Sequence, residues 1–467
     1  MLSKSLAVLG TTALIVVIVF SSGMFPFHQA AVQQVAAQGF VLPCTIATFG
    51  NAWDGILAFG LNNYLVVMRT NGSLIDLRTS TTGYGVVKNI AQDKLLFQGE
   101  PQVDGANTAP TYATHIWNVA SNTTQDFPYV IGHHDIEYDP INNTFLTLQN
   151  YVRWIGNNSI LFDKIVRLDP AGNVLWSWDT YDHMPLSEAD PFNLTSTLNG
   201  QALIDFTHTN ALDWDYNNSV IYLNVRHTNT FYKINQTTGD VIWACGQFGN
   251  FTLLDANGNK VQSLWYHSHD LKQVAPDVFT MFNNDFDNIT NPNDANSQMI
   301  EVTLNEQNMT AWVNWSWTAP EQYYSTYLGA TEILPNGDWI GDFGSPTHQF
   351  TENQPWNFTD TGAVLIEVNP TGQIVRTITF LKGWSIYRIG VVTNLSQNAF
   401  PTPTPSPSPS SSPSPTPLPT QTPSSQPSPS PSPPSNSPII TDVAFLIIAI
   451  VIVFLAVVVY LRVRKKR

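Results

Sequence analysis

The sequence predicts an all-β domain between residues 38 and 400, on three observations. Helical periodicity is scarce there, and short β-branched and aromatic runs such as 64–68 and 220–225 alternate with Asn, Gly and Asp turns. Charged residues make up 12% of the 467-residue chain, about half the usual share of about 25%. A hairpin phrase also recurs along the domain.

This phrase consists of an apolar residue, Asn or Asp, two variable residues, Gly, and then alternating apolar residues that often include Trp. It occurs at 68–77, 168–178, 234–244 and 368–378, with looser versions at 117–127 and 304–315. The spacing of roughly 50 to 70 residues is typical of four-stranded blades that each close on an outer hairpin. We therefore predict a six-bladed β-propeller, with a pair of stacked β-sandwiches as the alternative.

Both ends of the chain carry export signals. Residues 1–37 combine a basic start, an apolar stretch over 6–20 and small residues at 35–37, which predicts a signal peptide or, if it is not cleaved, a signal anchor. Residues 439–461 predict a transmembrane helix, and the basic tail 462–467 places the C-terminus in the cytoplasm. We expect a single-pass protein of the cell membrane whose large N-terminal domain is extracellular.

A Pro/Ser/Thr-rich segment, 401–438, separates the domain from the apolar helix. Such a composition buries no core and favours extended polyproline II, with a rise of about 3.1 Å per residue. We expect a disordered but semi-rigid stalk of roughly 100 Å.

Residues 38–400 contain 14 basic and 34 acidic side chains, a net charge of −20, which disfavours nucleic acid as a partner. Cys44 and Cys245 are the only cysteines, and in an exported chain we expect them to form a disulfide, with two free buried thiols as the alternative. Sequons for N-glycosylation are dense and predict a glycoprotein. They begin at Asn71, Asn122, Asn142, Asn157, Asn193, Asn217, Asn235, Asn250, Asn288, Asn308, Asn314, Asn357 and Asn394.

Five of the ten histidines fall in three short motifs, each at the start of a blade-length unit. They are His133-His134-Asp135, His208-Thr209-Asn210 with Arg226 after the next strand, and His267-Ser268-His269-Asp270 followed by Phe282-Asn283-Asn284-Asp285. Inner strands of successive blades converge on the axis of a propeller, so these motifs can form one site. Imidazoles and a guanidinium together predict a cationic pocket for an oxyanion and its leaving group.

Structural histidines or a metal site are the alternatives for these motifs. His-x-His and His-His-Asp are plausible ligand spacings. An Arg beside them and the lack of an obvious Glu base argue against a hydrolytic metal centre. No cofactor motif is found, and we expect neither a metal nor a cofactor.

The ordered set of motifs resembles the arylsulfotransferase family. The resemblance rests on HHD at 133–135, the His208, Asn210 and Arg226 spacing, the blade ending at 243–246, HD at 269–270, FNND at 282–285 and GATEILPNGDW at 329–339. It covers most of 45–390. The family consists of six-bladed propeller enzymes that move a sulfuryl group between phenols without a nucleotide donor. This chain departs from it at FNND, where FDNG is common.

The resemblance implies roles for individual residues. His269 matches the histidine that becomes transiently sulfated, and His134, His208 and Arg226 match the groups around the transferred sulfuryl. Asn210 is expected to orient His208, and Thr331 falls near a further polar position. Asn210, Thr331, His133 and His267 are all expected to bind the substrate.

The chemistry suits these residue types. A sulfate monoester transfers through a loose transition state, by analogy with phosphoryl transfer, and needs positioned cations and a good nucleophile. We expect ping-pong transfer from a small phenolic sulfate donor to a phenolic acceptor, with His134 as acid and base. Two alternatives are a non-catalytic surface propeller that binds glycan or protein, and a redox propeller with a bound centre.

Overall fold

A computed structural model describes residues 42–80, 83–101, 112–188, 195–198, 201–286, 288, 295–344 and 361–396. The expected signal segment, stalk, transmembrane helix and tail lie outside these ranges. Within the ranges, no helix has the length and apolar character needed to cross a membrane.

Strands dominate this part of the chain because its β-branched and aromatic runs suit a pleated, half-buried surface. The first thirteen are β1 (Cys44–Thr48), β2 (Ile56–Leu61), β3 (Tyr64–Arg69), β4 (Leu74–Thr79), β5 (Tyr84–Ala91), β6 (Lys94–Pro101), β7 (Tyr112–Asn118), β8 (Thr123–Asp139), β9 (Thr144–Ile155), β10 (Asn158–Leu168), β11 (Val174–Asp179), β12 (Thr195–Leu198) and β13 (Gln201–Asp205).

The later strands continue the same pattern. They are β14 (Thr209–Asp215), β15 (Val220–Val225), β16 (Thr230–Asn235), β17 (Val241–Gly246), β18 (Thr252–Leu254), β19 (His269–Ala275), β20 (Val278–Asn283), β21 (Gln298–Asn305), β22 (Thr310–Thr318), β23 (Ala330–Ile333), β24 (Trp339–Phe343), β25 (Thr361–Val368), β26 (Ile374–Leu381) and β27 (Ile386–Val392). The helical elements of the described residues are short 3₁₀ turns at Thr180–Asp182, Leu186–Glu188, Arg226–Thr228 and Glu321–Tyr323.

The strands form sheets arranged as in a propeller. Four sheets contain four or five strands each, and a nine-stranded sheet is continuous because the long β8 pairs with β7 along its first part and with β9 along its second. Six inner strands, β5, β8, β14, β19, β23 and β27, contact one another in turn, and β27 contacts β5. The all-β, propeller-like fold is confirmed, and this ring differs from a pair of stacked sandwiches.

The two ends of the domain close the ring. The first strand, β1, adds to the outer edge of the last sheet by pairing with β26. The last strand, β27, pairs with β2 as the innermost strand of the first sheet. Residues from opposite ends of the domain therefore share sheets.

All six hairpin phrases lie at turns between the outer strands. They join β3 to β4, β7 to β8, β10 to β11, β16 to β17, β21 to β22 and β25 to β26. Three tryptophans reach the next hairpin: Trp178 Nε1 donates to the Gly239 carbonyl at 2.9 Å, Trp315 Nε1 to the Pro370 carbonyl at 3.4 Å, and Trp317 Nε1 to the Gly372 carbonyl at 3.0 Å. The prediction that hairpin tryptophans contact a neighbouring unit holds at these three positions.

The expected disulfide between Cys44 and Cys245 is wrong, because both thiols are free. Cys44 packs on an apolar cluster between the last and first sheets, whereas Cys245 belongs to a cluster formed by β14–β22. Burial raises the pKa of the Cys245 thiol. Each cysteine fills space in a core, and an even cysteine count in a chain with export signals does not bring the two together.

Candidate active site

Three histidine motifs meet near the centre of the ring. His134 lies within β8, His208 directly precedes β14, and His269 is the first residue of β19. The ring centroids of His134 and His208 are 4.9 Å apart. Inner strands of successive units thus bring together side chains that are remote in sequence.

The backbone is unusual at these motifs. The φ angles of His134, His208, His267 and Asp270 are +59°, +47°, +55° and +56°. Residues other than Gly seldom adopt this left-handed region, and such conformations are concentrated at functional sites. The surrounding contacts must therefore hold each motif in place.

His269 is buried, and Asn284 fixes its orientation. The His269 Nδ1 lies 2.6 Å from Asn284 Oδ1. The Asn284 amide nitrogen donates to the carbonyls of Ser325 and Leu328, both at 2.8 Å. Since these two bonds require the NH2 group, Asn284 Oδ1 must be the acceptor. His269 therefore carries its proton on Nδ1 and keeps a lone pair on Nε2.

His269 is also kept neutral. Its pKa is lowered well below its ordinary value, first because burial disfavours the charged ring and then because the Arg226 charge is close. The hydrogen bond that His269 donates to Asn284 opposes this shift without reversing it. A neutral imidazole with a free Nε2 lone pair is a nucleophile.

His134 belongs to a buried hydrogen-bonded chain. His133 Nε2 lies 3.2 Å from Asp163 Oδ1, and the two Nδ1 atoms of His133 and His134 are 2.6 Å apart. Asp163 is itself held by the Thr207 hydroxyl and the Thr209 N–H, at 2.6 and 2.7 Å. With Asp163 accepting from His133 Nε2, His134 must donate through Nδ1. The His134 Nε2 is then left as a proton acceptor.

Burial lowers the pKa of His134 well below its ordinary value, and the neighbouring His133 and His208 act in the same direction. His134 is therefore neutral at neutral pH. The expected cationic pocket thus does not draw its charge from His134 or His269; Arg226 and Arg388 are the arginines whose charges lower the pKa of His269.

His208 is paired with a carboxylate. Its Nδ1 lies 2.7 Å from Asp205 Oδ2, and its side chain is 28% exposed. A carboxylate on Nδ1 fixes the ring orientation and stabilises the imidazolium that forms when Nε2 takes a proton. Because Nδ1 donates to Asp205, Nε2 of the neutral His208 ring carries a lone pair.

Arg226 is held by the residue that follows it. After β15 the chain forms the 3₁₀ turn Arg226–Thr228, which ends at Asn229 with a left-handed φ of 50°. Arg226 Nη1 donates to His227 Nε2 at 2.8 Å, and His227 Nδ1 donates to the Asp205 carbonyl at 2.8 Å. Burial, followed by nearby His208 and Arg226, lowers the pKa of His227 well below its usual range. A neutral His227 can accept from Arg226.

Asp205, His208 and His227 form a set of possible metal ligands, with one donor atom of each lying within 4.8 Å of the others. The tautomer of His227 opposes this use. Its Nε2 accepts from a permanently charged guanidinium, so Nδ1 carries the proton and has no lone pair for a metal. These residues fit an anion site better than a metal centre.

Three predicted residues contribute through the backbone or through other partners. Asn210 does not contact His208 as expected: its side chain donates to the Ser268 carbonyl at 2.9 Å and accepts from Asn224 at 2.8 Å. Thr331 is buried, and its N–H donates to Asp270 Oδ2 at 2.9 Å. The His267 N–H donates to Asn229 Oδ1 at 2.7 Å, and its ring lies 5.4 Å from that of His227.

Four residues of the site were not identified from sequence. Asn284 stands in the FNND segment and His227 follows Arg226, so both lay beside recognised motifs. Asp205 precedes His208 by three residues, a spacing that says nothing by itself. Arg388, on the last strand, lies far from every motif in sequence, although its side chain bonds Asp135 at 2.8 Å.

The chain is thus an all-β, propeller-like protein whose inner strands bring three histidine motifs and an arginine together. The family model described as arylsulfotransferase (ASST) matches residues 118–388, more than half of the chain. The chain therefore belongs to the arylsulfotransferase family. A search of curated proteins finds no match.

Two solved structures are similar to this chain at low identity. A protein of unknown function from Bacteroides caccae is 11% identical, with 73% of this chain and 99% of that chain covered and a TM-score of 0.39. A periplasmic gluconolactonase from Pseudomonas aeruginosa is 10% identical, with 72% and 100% covered and a TM-score of 0.38. Neither similarity supports an argument about function.

Proposed function

We propose that this chain transfers a sulfuryl group from a phenolic sulfate ester to a phenolic acceptor by a ping-pong mechanism through a sulfated His269. The observation that supports it most is the buried, neutral His269, whose proton is held on Nδ1 by Asn284 and whose Nε2 is free. Membership of the arylsulfotransferase family is consistent with this class of reaction.

In the first half-reaction, the Nε2 lone pair of His269 forms the N–S bond as the S–O bond to the phenol breaks. The electron pair leaves with the phenolate oxygen, which takes its proton from solvent in the first turnover and, in later turnovers, from the His134 ring that the previous acceptor phenol has protonated. Arg226 stabilises the charge on the sulfuryl oxygens, and His208, oriented by Asp205, contacts them. The products are a free phenol and sulfated His269.

In the second half-reaction, neutral His134 takes the proton of the acceptor phenol, and the phenol oxygen attacks sulfur. The N–S bond breaks and returns the electron pair to His269 Nε2. His134 leaves this step protonated, ready to protonate the next phenolate. The lowered pKa of His134 makes its protonated form a strong acid for that step.

The test is transfer from a chromogenic aryl sulfate to phenol, with the intact mass of the chain measured after donor alone. Wild type should gain one SO3 group and transfer it to phenol, whereas His269→Asn should do neither. His183→Asn is the matched control, because His183 is exposed and stacks on Trp178 with a centroid distance of 4.2 Å. Equal transfer by the His269 variant and wild type would refute the assignment.

A non-catalytic surface propeller is the competing proposal. It requires that wild type show neither the mass gain nor transfer, and that binding survive substitution of Arg226.

The finer fold assignment is six blades. Its support is the ring of six inner strands, and the six buried apolar clusters that each draw on strands of two neighbouring groups. In this count the nine-stranded sheet comprises two blades that share β8.

The proposal includes export, the stalk 401–438 and a membrane anchor at 439–461, supported by the composition of these segments and the basic tail. An enzyme outside the membrane has little access to cytosolic activated nucleotides, and a ready-made aryl sulfate donor suits that location. Protease added to intact cells should release the domain, and complete protection of the domain would contradict this topology.

A further inference from the structure

Arg388, on the closing strand β27, contacts all three histidine motifs, two through hydrogen bonds and one through an ion pair. Its side chain is 3% exposed. Nη1 donates to Asp135 Oδ2 at 2.8 Å, Nη2 donates to the Asn210 carbonyl at 2.8 Å, and Nε lies 3.2 Å from Asp270 Oδ1. Asp135 directly follows His134, Asn210 is two residues after His208, and Asp270 directly follows His269.

The two carboxylates extend this connection to the neighbouring strands. Asp135, on β8, accepts the Leu212 N–H of β14 at 2.9 Å. Asp270, on β19, accepts the Thr331 N–H of β23 at 2.9 Å. One guanidinium thus lies at the centre of bonds that reach four inner strands besides its own.

We infer that Arg388 is a positioning residue that sets His134, His208 and His269 relative to one another, so that the site is complete only when the last strand has closed the ring. The inference rests on the proposed function for its activity readout. The placement of the histidines can be measured without that function.

Arginine suits this task for a geometric reason. Its planar guanidinium directs separate N–H groups at two acceptors and places its charge against a third group, Asp270, whereas the ammonium of lysine is a single point of donation. His134, His208 and Asp270 all have left-handed φ angles, which need external support. A substitution that keeps the charge but removes the fork should therefore disturb all three motifs.

Charge around Arg388 is balanced by its neighbours. Asp135 also pairs with Lys88 of β5 at 2.6 Å, and Asp270 lies 3.4 Å from Lys272 of β19. Tyr387 contributes to the raised pKa of Arg388. The Arg388 charge in turn opposes the burial that raises the pKa of Glu332 and Asp342. The Arg388 charge contributes to the lowered pKa of both His134 and His269, after larger contributions from burial and nearer groups.

The test compares Arg388→Lys and Arg388→Gln in the full-length chain, using transfer kinetics, melting temperature and ¹⁵N NMR of the histidine rings. Arg388→Lys should lower kcat by about 100-fold, the size of effect expected from misplacing catalytic groups by about 1 Å. KM should change much less, and the ring signals of His134 and His269 should shift. Arg388→Gln should in addition move the acid limb of kcat/KM to higher pH.

Arg376 provides a matched control. It is a buried arginine on β26 that donates to the Trp53 carbonyl at 2.7 Å and lies 3.5 Å from Glu367. Arg376→Lys should lower the melting temperature and leave the histidine signals and transfer unchanged. If the role of Arg388 were purely structural, Arg388→Lys would likewise lower the melting temperature and leave the histidine signals and transfer unchanged.

Two outcomes distinguish a failure of the proposed function from a failure of the positioning role. If wild type shows no transfer but the histidine signals shift in Arg388→Lys, the proposed function fails and the positioning role stands. If wild type transfers and folded Arg388→Lys keeps both kcat within about threefold and unshifted signals, the positioning role is overturned. If Arg388→Lys does not fold, Asp135→Asn and Asp270→Asn give the same readouts, and unshifted signals in both overturn it.

Discussion

The outer hairpins and the central site of this domain are built from different kinds of bond. In the turn between β25 and β26, Asn369 Oδ1 accepts the N–H groups of Thr371 and Gln373, so its bonds span two and four residues. At the centre, Arg388 bonds an aspartate 253 residues away. A hairpin can therefore form from its own residues, whereas the site needs the whole ring.

This difference predicts that matched substitutions have unequal effects on transfer. The largest effect is expected for Asn284→Leu, which removes the acceptor for His269 Nδ1 and leaves two carbonyls without their donor. We expect kcat to fall by about 100-fold or more. Asn284→Asp keeps an acceptor and should retain more activity.

The exposed Asn259 is the control for this substitution. It lies in the turn after β18 and bonds the Asp255 carboxylate at 3.1 Å. Asn259→Leu should leave transfer within about twofold of wild type. Equal losses in the Asn259 and Asn284 variants would mean that the two regions do not differ as argued.

As pH is lowered, transfer should be lost at a higher pH than the stabilising bonds of the hairpin turns. Transfer requires neutral His269, whose pKa is lowered, so kcat/KM should fall as pH decreases with a midpoint below the ordinary histidine value of about 6.5. In the hairpin turn after β10, hydrogen bonds from Asn173 lower the pKa of Asp169 below its ordinary 3.8. Its contribution to stability is present above pH 3.8 and is lost as pH falls through the lowered pKa.

Measuring kcat/KM of transfer as a function of pH tests this contrast. An acid midpoint at or above about 6.5 would contradict it. Overall stability is a poorer readout because two effects oppose each other. Histidines kept neutral in the fold cost stability as pH falls below about 6.5, where the unfolded chain binds more protons. Burial raises the pKa of Glu137 to about 7, so that group favours the fold as pH falls through 7.

The smallest effect is expected at the hairpin turn itself. Asn369→Ala removes the acceptor for two backbone N–H groups and should lower the free energy of unfolding by about 1 kcal/mol. Transfer should be unchanged, and Asn369→Asp should restore most of the stability. Urea denaturation measures the first effect, and a loss of transfer without a loss of stability would contradict this view of the turn.

Much of the fold was predictable because its signals are local. The alternation of apolar residues and the Asx-x-x-Gly turns identify the six outer hairpins, and each turn is stabilised by its own residues. The cysteine pair shows the limit of such reasoning. Cys44 and Cys245 lie in two different cores, and neither their number nor the export signals carries that information.

The sequence by itself determined the β class, the hairpin positions, the family resemblance and the three histidine motifs, since each is written in residues that are close together. Only the tertiary structure decided the partner of each histidine. Asp205 rather than Asn210 orients His208, Asn284 sets the proton of His269, and Arg388 joins the motifs. The reason is physical: these bonds depend on which strands meet at the axis, and that is settled when β27 closes the ring against β2 and β5.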